Sequence, residues 1–269
     1  MAATQRTGFT DAALVRLLAR LGLAAAPAAP AGFAQRLGAW LRWTDAPPLY
    51  AALHEPLAVP PLTDDEDASP PSAEADCRSV HALLLHAITH EAPWQQPRAP
   101  VRPRAGSGWL PAARTAALPP LDWPAYRRYS LAQQQAMEDR IAALRARLRR
   151  ALQLRSPALA RLAALDEVMQ RMLTEPEQRQ LAALTTVLEQ RYLHWQAQAD
   201  ALVHAAHAAD IPAATDRPAW QTHFEQELHA VLLAELDLRW QPIHGLLAAL
   251  RAPAAPAEPP MPAVNGTLP

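Results

Sequence analysis

Residues 122–155 read DWPAYRRYSLAQQQAMEDRIAALRARLRRALQLR. Within them Met137, Ile141, Leu144, Leu148 and Ala151 recur at spacings of four, three, four and three. That places all five on one stripe of an α-helix, whereas a strand needs a period of two. The helix is expected to start near Asp122 or Pro124, since proline is tolerated in a first turn. It is expected to stop or kink before Pro157, because proline disfavours helical geometry in the preceding residue. Ser156 can then cap a second helix, with Pro157 at its first position, burying Leu159, Leu162, Leu165, Met169 and Met172. Thr174 and Glu177 have capping-box spacing and suggest a third start, with Pro176 in the first turn. From there Leu181, Leu184, Leu188, Tyr192, Trp195, Ala199 and Leu202 form one stripe. The stripes suit an intramolecular bundle, with an intermolecular coiled coil as the alternative.

Outward from this stretch the same period recurs. Toward the N-terminus Thr10 can cap a helix with Leu14, Leu17, Leu18 and Leu21 on its buried side, ending near Gly22. A second helix carries Phe33, Leu37, Trp40 and Leu41. A short third one, capped by Thr44 or Asp45, carries Leu49, Tyr50 and Leu53. Asp76 to Glu91 presents Val80, Leu83, Leu84, Ala87 and Ile88. Toward the C-terminus Trp220, Phe224, Leu228, Val231, Leu232, Leu236 and Leu238 spread around more than half a helix, which should be buried on more than one side. Pro242 is expected to kink or end it, with a short helix from Ile243 to Leu250.

The 28 prolines cluster between these segments and mark linkers. The expected organisation is all-α: an N-terminal helical hairpin unit (1–55), an acidic Pro-rich linker (56–75), a helix packing on the bundle (76–91), a Pro/Arg-rich linker (92–121), a bundle of long antiparallel helices (122–251) and a disordered tail (252–269). Trp94 and Trp109, within the second linker, are candidates to dock on the bundle. Only 8 glycines and few β-branched residues argue against sheets. The eight tryptophans read as core pins and docking points.

A net charge of −1 gives no global field toward nucleic acid or acidic membrane. The distribution is uneven, with arginine in excess between Asp122 and Leu165 and acid in excess after Asp166. Such segments most simply pair with each other. Arg140, Arg145, Arg147, Arg149, Arg150 and Arg155 fall together with no acid among them. On a helical wheel the first five scatter over the whole side away from the leucine stripe. They suit a solvated face, or one covered by the acidic helix with Glu225, Glu227, Glu235 and Asp237. They are also the candidate interaction residues, for a protein partner or for phosphates.

His86 and His90 share one helix face beside Glu91, and Asp200, His204 and His207 share another. Zinc uses such spacings, but His86 to His90 lacks the glutamate of a zincin motif, and a site needs three or four convergent ligands. Cys77, alone, excludes an internal disulfide and reads as an ordinary or buried thiol in a reducing compartment. The acidic run Asp64–Asp67 lacks the glycine of a calcium loop. No phosphate loop, nucleophile elbow or dinucleotide fingerprint occurs. No catalytic, cofactor-binding or metal residue is therefore assigned. With no signal peptide and no apolar run long enough to cross a bilayer, the chain reads as cytoplasmic and not membrane-inserted.

Arg6 to Thr10, Val15 to Leu21, Trp40 to Asp45, Ser156 to Asp166, and Leu232 to Arg239 followed by Gln241 and Pro242 resemble blocks of a proteobacterial family of unknown function. The resemblance spans nearly the whole chain apart from the linkers. It carries no catalytic residues over. It implies a gene setting near a channel-type membrane protein of the flagellar-stator and biopolymer-transport kind, and near an OmpA-like envelope protein. On that setting the chain would be a cytosolic accessory subunit of an envelope complex. The expected function is a non-enzymatic interaction or scaffold protein with a protein partner, and a homo-oligomer stays open. The runner-up is a nucleic-acid-associated regulator using the Arg140–Arg155 stretch, and a third reading is a metal-dependent helical enzyme on His86, His90, His204 and His207.

Overall fold

A computed structural model of the protein describes residues 13–22, 38, 42–54, 70–94, 121–208 and 218–252. Among the described residues all regular structure is helical. The elements are α1 (Ala13–Arg20), a 3₁₀ turn (Trp43–Asp45), α2 (Ala46–His54), α3 (Pro70–His90), α4 (Trp123–Arg155), α5 (Pro157–Ala208) and α6 (Ala219–Arg251).

The helix ends follow local chemistry. Asp122 caps α4, its carboxylate accepting from the Ala125 N–H at 3.1 Å, with Pro124 in the first turn. Ser156 is a one-residue extended corner, and its hydroxyl accepts from the Leu159 N–H at 3.2 Å to cap α5. α1 ends at Arg20, and two residues on Gly22 has a φ of 70°, which suits a residue without Cβ.

Cross-links give the directions. Arg145 reaches Asp166 and Gln178 reaches Glu138, so α4 and α5 run antiparallel. Tyr126 meets Glu225 and Gln134 meets Glu235, so α6 runs parallel to α4. Tyr129 meets Ile88 and Arg147 meets Asp76, so α3 is antiparallel to both. α6 is the hub, touching α1, α3, α4 and α5. Its Phe224, Leu228, Leu232 and Ile243 are fully buried, as are Met137, Leu144 and Leu152 of α4 and Ile88 of α3. α1 lies on α6 through Leu14. α2 lies on α5. The second N-terminal helix, through Phe33 to Leu41, falls almost wholly outside the described residues, as do most of both linkers, Trp109 and the tail beyond 252.

Four expectations are corrected. α5 does not restart at Thr174 but runs unbroken through Pro176. The Thr174 hydroxyl donates back to the Gln170 carbonyl at 2.7 Å instead of capping. α6 likewise continues through Pro242. An interior proline costs about 3 kcal/mol, but buried Trp240, Ile243, Leu246, Leu247 and Leu250 flank Pro242. At about 1.5–3 kcal/mol per large side chain, their burial outweighs one lost bond. α3 begins at Pro70, ahead of Asp76, its prolines falling in the first turn. Early in α5 the buried positions are Ala160, Ala163 and Val168, while Leu162 is exposed.

Candidate functional site

The arginine cluster is divided among three neighbours. Arg145 grips Asp166 with two bonds, Nε at 2.8 Å and Nη2 at 2.6 Å, and Arg149 adds Nε at 2.7 Å and a bond to Gln170. These side chains are largely buried. Arg147 pairs with Asp76 of α3 at 2.9 Å on the surface. Arg155 donates to the Leu250 carbonyl at the end of α6, where a cation suits the helix dipole. Arg140 and Arg150 are exposed and have no ion-pair partner among the described residues. The five candidates therefore do not form one surface. The acidic residues of α6 do not cover them either. Glu227 binds Arg191 and the Trp195 indole N–H, Glu225 accepts from the Tyr126 hydroxyl at 2.7 Å, and Glu235 binds Arg239 and Gln134.

Burial and charge act against each other at these acids. Burial alone would raise the pKa of Asp166, but bonds from Arg145 and Arg149 outweigh it and hold the carboxyl below its ordinary value. Glu227 is lowered the same way by Arg191 and Trp195 against burial. Glu177 is raised by burial, which the nearby Arg239 and Arg145 only partly offset, with Glu138 and Glu235 adding to the rise. His229 is lowered, mainly by burial.

An open groove of about 850 Å³ runs between α4 and α5. Trp123, Arg127, Arg128 and Leu131 form one wall, and Leu181 and Glu189 belong to the other. At its floor Arg239 is fastened to fully buried Glu235 at 2.9 Å, and Gln134 holds the other carboxylate oxygen at 2.9 Å. The lining has no His, Cys, Ser or Asp, and its floor groups are already engaged with one another. Sequence spacing could not find this groove, because it arises from the level at which two antiparallel helices meet.

The histidine sets stay apart. His86 and His90 are exposed on α3 with rings stacked at 4.7 Å. His204 is exposed on α5 and contacts the Asp200 carbonyl at 2.6 Å, while the side chain of His207 lies outside the described residues. No group of three or more His, Cys, Asp or Glu that could hold a metal occurs among the described residues. Cys77 is buried, and burial raises its thiol pKa. Trp94 docks as anticipated, against Tyr126, Tyr129 and His229. Trp43 does the opposite and is 86% exposed, and Tyr50 and Leu53 of α2 are exposed as well.

The profile of the family described as Protein of unknown function (DUF3348) matches residues 1–252. The chain belongs to that family. No curated protein and no solved structure matches it. The DUF3348 match takes in all the helices and both histidine sets. No described helix of this DUF3348 chain is long and apolar enough to cross a membrane.

Proposed function

We propose that the chain is a non-enzymatic interaction protein, a helical strut with its partner surface at one end of α5. The observation that carries this is a mismatch in length. α5 has 52 residues against 33 in each of α4 and α6. At about 1.5 Å per residue, that is about 78 Å against about 50 Å. Leu181, Leu184, Leu188 and Tyr192 are buried, but further along the same stripe Leu202 is 72% exposed, with Val203 beside it. Among the described residues the seam outruns its partners, and Leu202 offers an apolar side chain past their ends. The apolar face of α6, the other place for a partner, is already covered by four helices of its own chain.

The resemblance noted in the sequence supports a finer reading, a cytoplasmic accessory subunit of a channel-type envelope complex. The test is co-purification from the native host, with Leu202→Glu/Val203→Glu as the comparison. A defined partner recovered with wild type and lost with the variant, at unchanged helicity, is the expected result. A lone monomer in both cases would sink the reading. The nucleic-acid alternative has weaker support, because Arg145, Arg147, Arg149 and Arg155 are engaged within the chain. Salt-sensitive DNA or RNA binding lost on changing Arg140 and Arg150 to Gln would favour it instead.

A further inference from the structure

The outward face of α3 is unusual for a helix in water. From Ser79 to His90 the sequence has no acid and no arginine. Ser79, Leu83, His86 and His90 follow one another at spacings of four, three and four, and all are exposed, Leu83 at 50%. A solvated helix face ordinarily carries charge.

His86 and His90 stand one turn apart with their rings nearly parallel, 4.7 Å between centroids and 15° between planes. One turn apart on a helix, both rings can reach one ion once His86 rotates out of the stack, since the in-plane lone pairs of nearly parallel rings do not converge. His90 is also held from behind. The Thr89 hydroxyl donates to the Leu85 carbonyl at 2.8 Å and contacts His90 Nδ1 at 2.6 Å. A hydroxyl has a single hydrogen. With that hydrogen on Leu85, the ring must donate from Nδ1–H, which leaves its lone pair on Nε2, the nitrogen farther from the main chain. An outer bond of this kind is what fixes the tautomer and orientation of ligating histidines.

One chain supplies two donors here, and no third convergent His, Cys, Asp or Glu occurs among the described residues. Zinc takes four ligands in a tetrahedron. A two-fold pairing of this face with itself supplies four imidazoles and covers Leu83 in the same contact. We propose that His86 and His90 are half of a zinc site completed by the same two residues of a second copy, so that the ion joins two chains through α3. This is independent of the α5 surface above.

The test uses the full untagged chain, with mass from light scattering and bound metal from elemental analysis. On adding zinc the mass should double with one zinc per two chains, and chelator should reverse it. His86→Asn or His90→Asn should abolish the doubling. Thr89→Val should raise the zinc needed by about tenfold, the usual scale for an outer-shell partner, without changing the melting temperature of the metal-free chain. His204→Asn should behave as wild type. A chain that stays monomeric in excess zinc, one that binds a full zinc per monomer, or one that dimerises equally well without His86 and His90 would overturn the proposal.

Discussion

Asp166 and Glu177 lie on the same helix, and their pKa values are shifted in opposite directions. Asp166 sits between two guanidiniums that outweigh its burial, so its folded-state pKa is depressed. A depressed carboxyl contributes stability above its unfolded value of about 3.9, and that contribution is lost as pH falls through the folded value. Asp166→Asn keeps the shape and leaves Arg145 and Arg149 without their charge partner. It should cost about 2–3 kcal/mol at pH 7 in urea denaturation, the scale for breaking a largely buried pair. The gap to wild type should close at the acid end, and a gap independent of pH would refute the assignment. Glu177 is raised by burial, so its penalty is absent below about pH 4.3 and grows as pH rises toward and through its folded value. Glu177→Gln should therefore stabilise the protein at pH 7 and make no difference in acid. A destabilised variant at pH 7 would show that the carboxylate has a strong partner. The arginines were legible in the sequence as a cluster. Their acid was not, because helical spacing gives the direction of a side chain but not the level at which a neighbouring helix meets it.

Three prolines in one kind of helix have two different consequences. Pro157 follows the Ser156 corner and occupies the first position of α5, where no backbone donor is needed. Pro176 and Pro242 lie within α5 and α6, where each removes one rung of the ladder. Local rules read the first correctly, placed Pro176 in the first turn of a new helix, and expected Pro242 to kink or end α6. Buried Trp240 and Ile243 flank Pro242, and buried Val168 and Leu181 lie to either side of Pro176, so a helix that ended at either proline would uncover them. The existence of the helices was thus legible from their stripes, while two of their ends were set by packing that no short window contains. Pro176→Ala should restore a bond to the Met172 carbonyl and stabilise the protein by about 1–3 kcal/mol. Pro157→Ala should cost about 0.5–1 kcal/mol, through the freer unfolded chain. Thermal denaturation of the two variants separates these, and a loss at Pro176 would mean that its ring is itself a packing element.

The molecule is graded from a dense axis to thinly held margins. The spread of apolar residues from Trp220 to Leu238 foretold a helix covered on several sides. It could not foretell that α1 and α3, drawn from far upstream, would do part of the covering. The groove between α4 and α5 and the overhang of α5 were equally invisible, since both depend on where neighbouring helices end. At the other extreme α2 has one buried residue, Ala52, and the segment before it is fastened to α5 by Arg42–Glu175, an exposed ion pair at 2.7 Å. Such a pair contributes about 0–1 kcal/mol. Opening free energies follow buried apolar contact. Hydrogen exchange should therefore be slowest in α6 around Leu228–Leu236, and fast in α2 and in α5 beyond Trp195. Leu232→Ala, at a fully buried position, should cost about 2–5 kcal/mol. It should lower protection in α3, α4 and α5 together, because all three lean on the same helix. Leu202→Ala should stay within about 0.5 kcal/mol of wild type. Protection in α2 equal to that in α6 would mean that the Trp43–His54 arm belongs to the cooperative core, and its exposed Trp43 and Tyr50 would then need a covering partner to explain them.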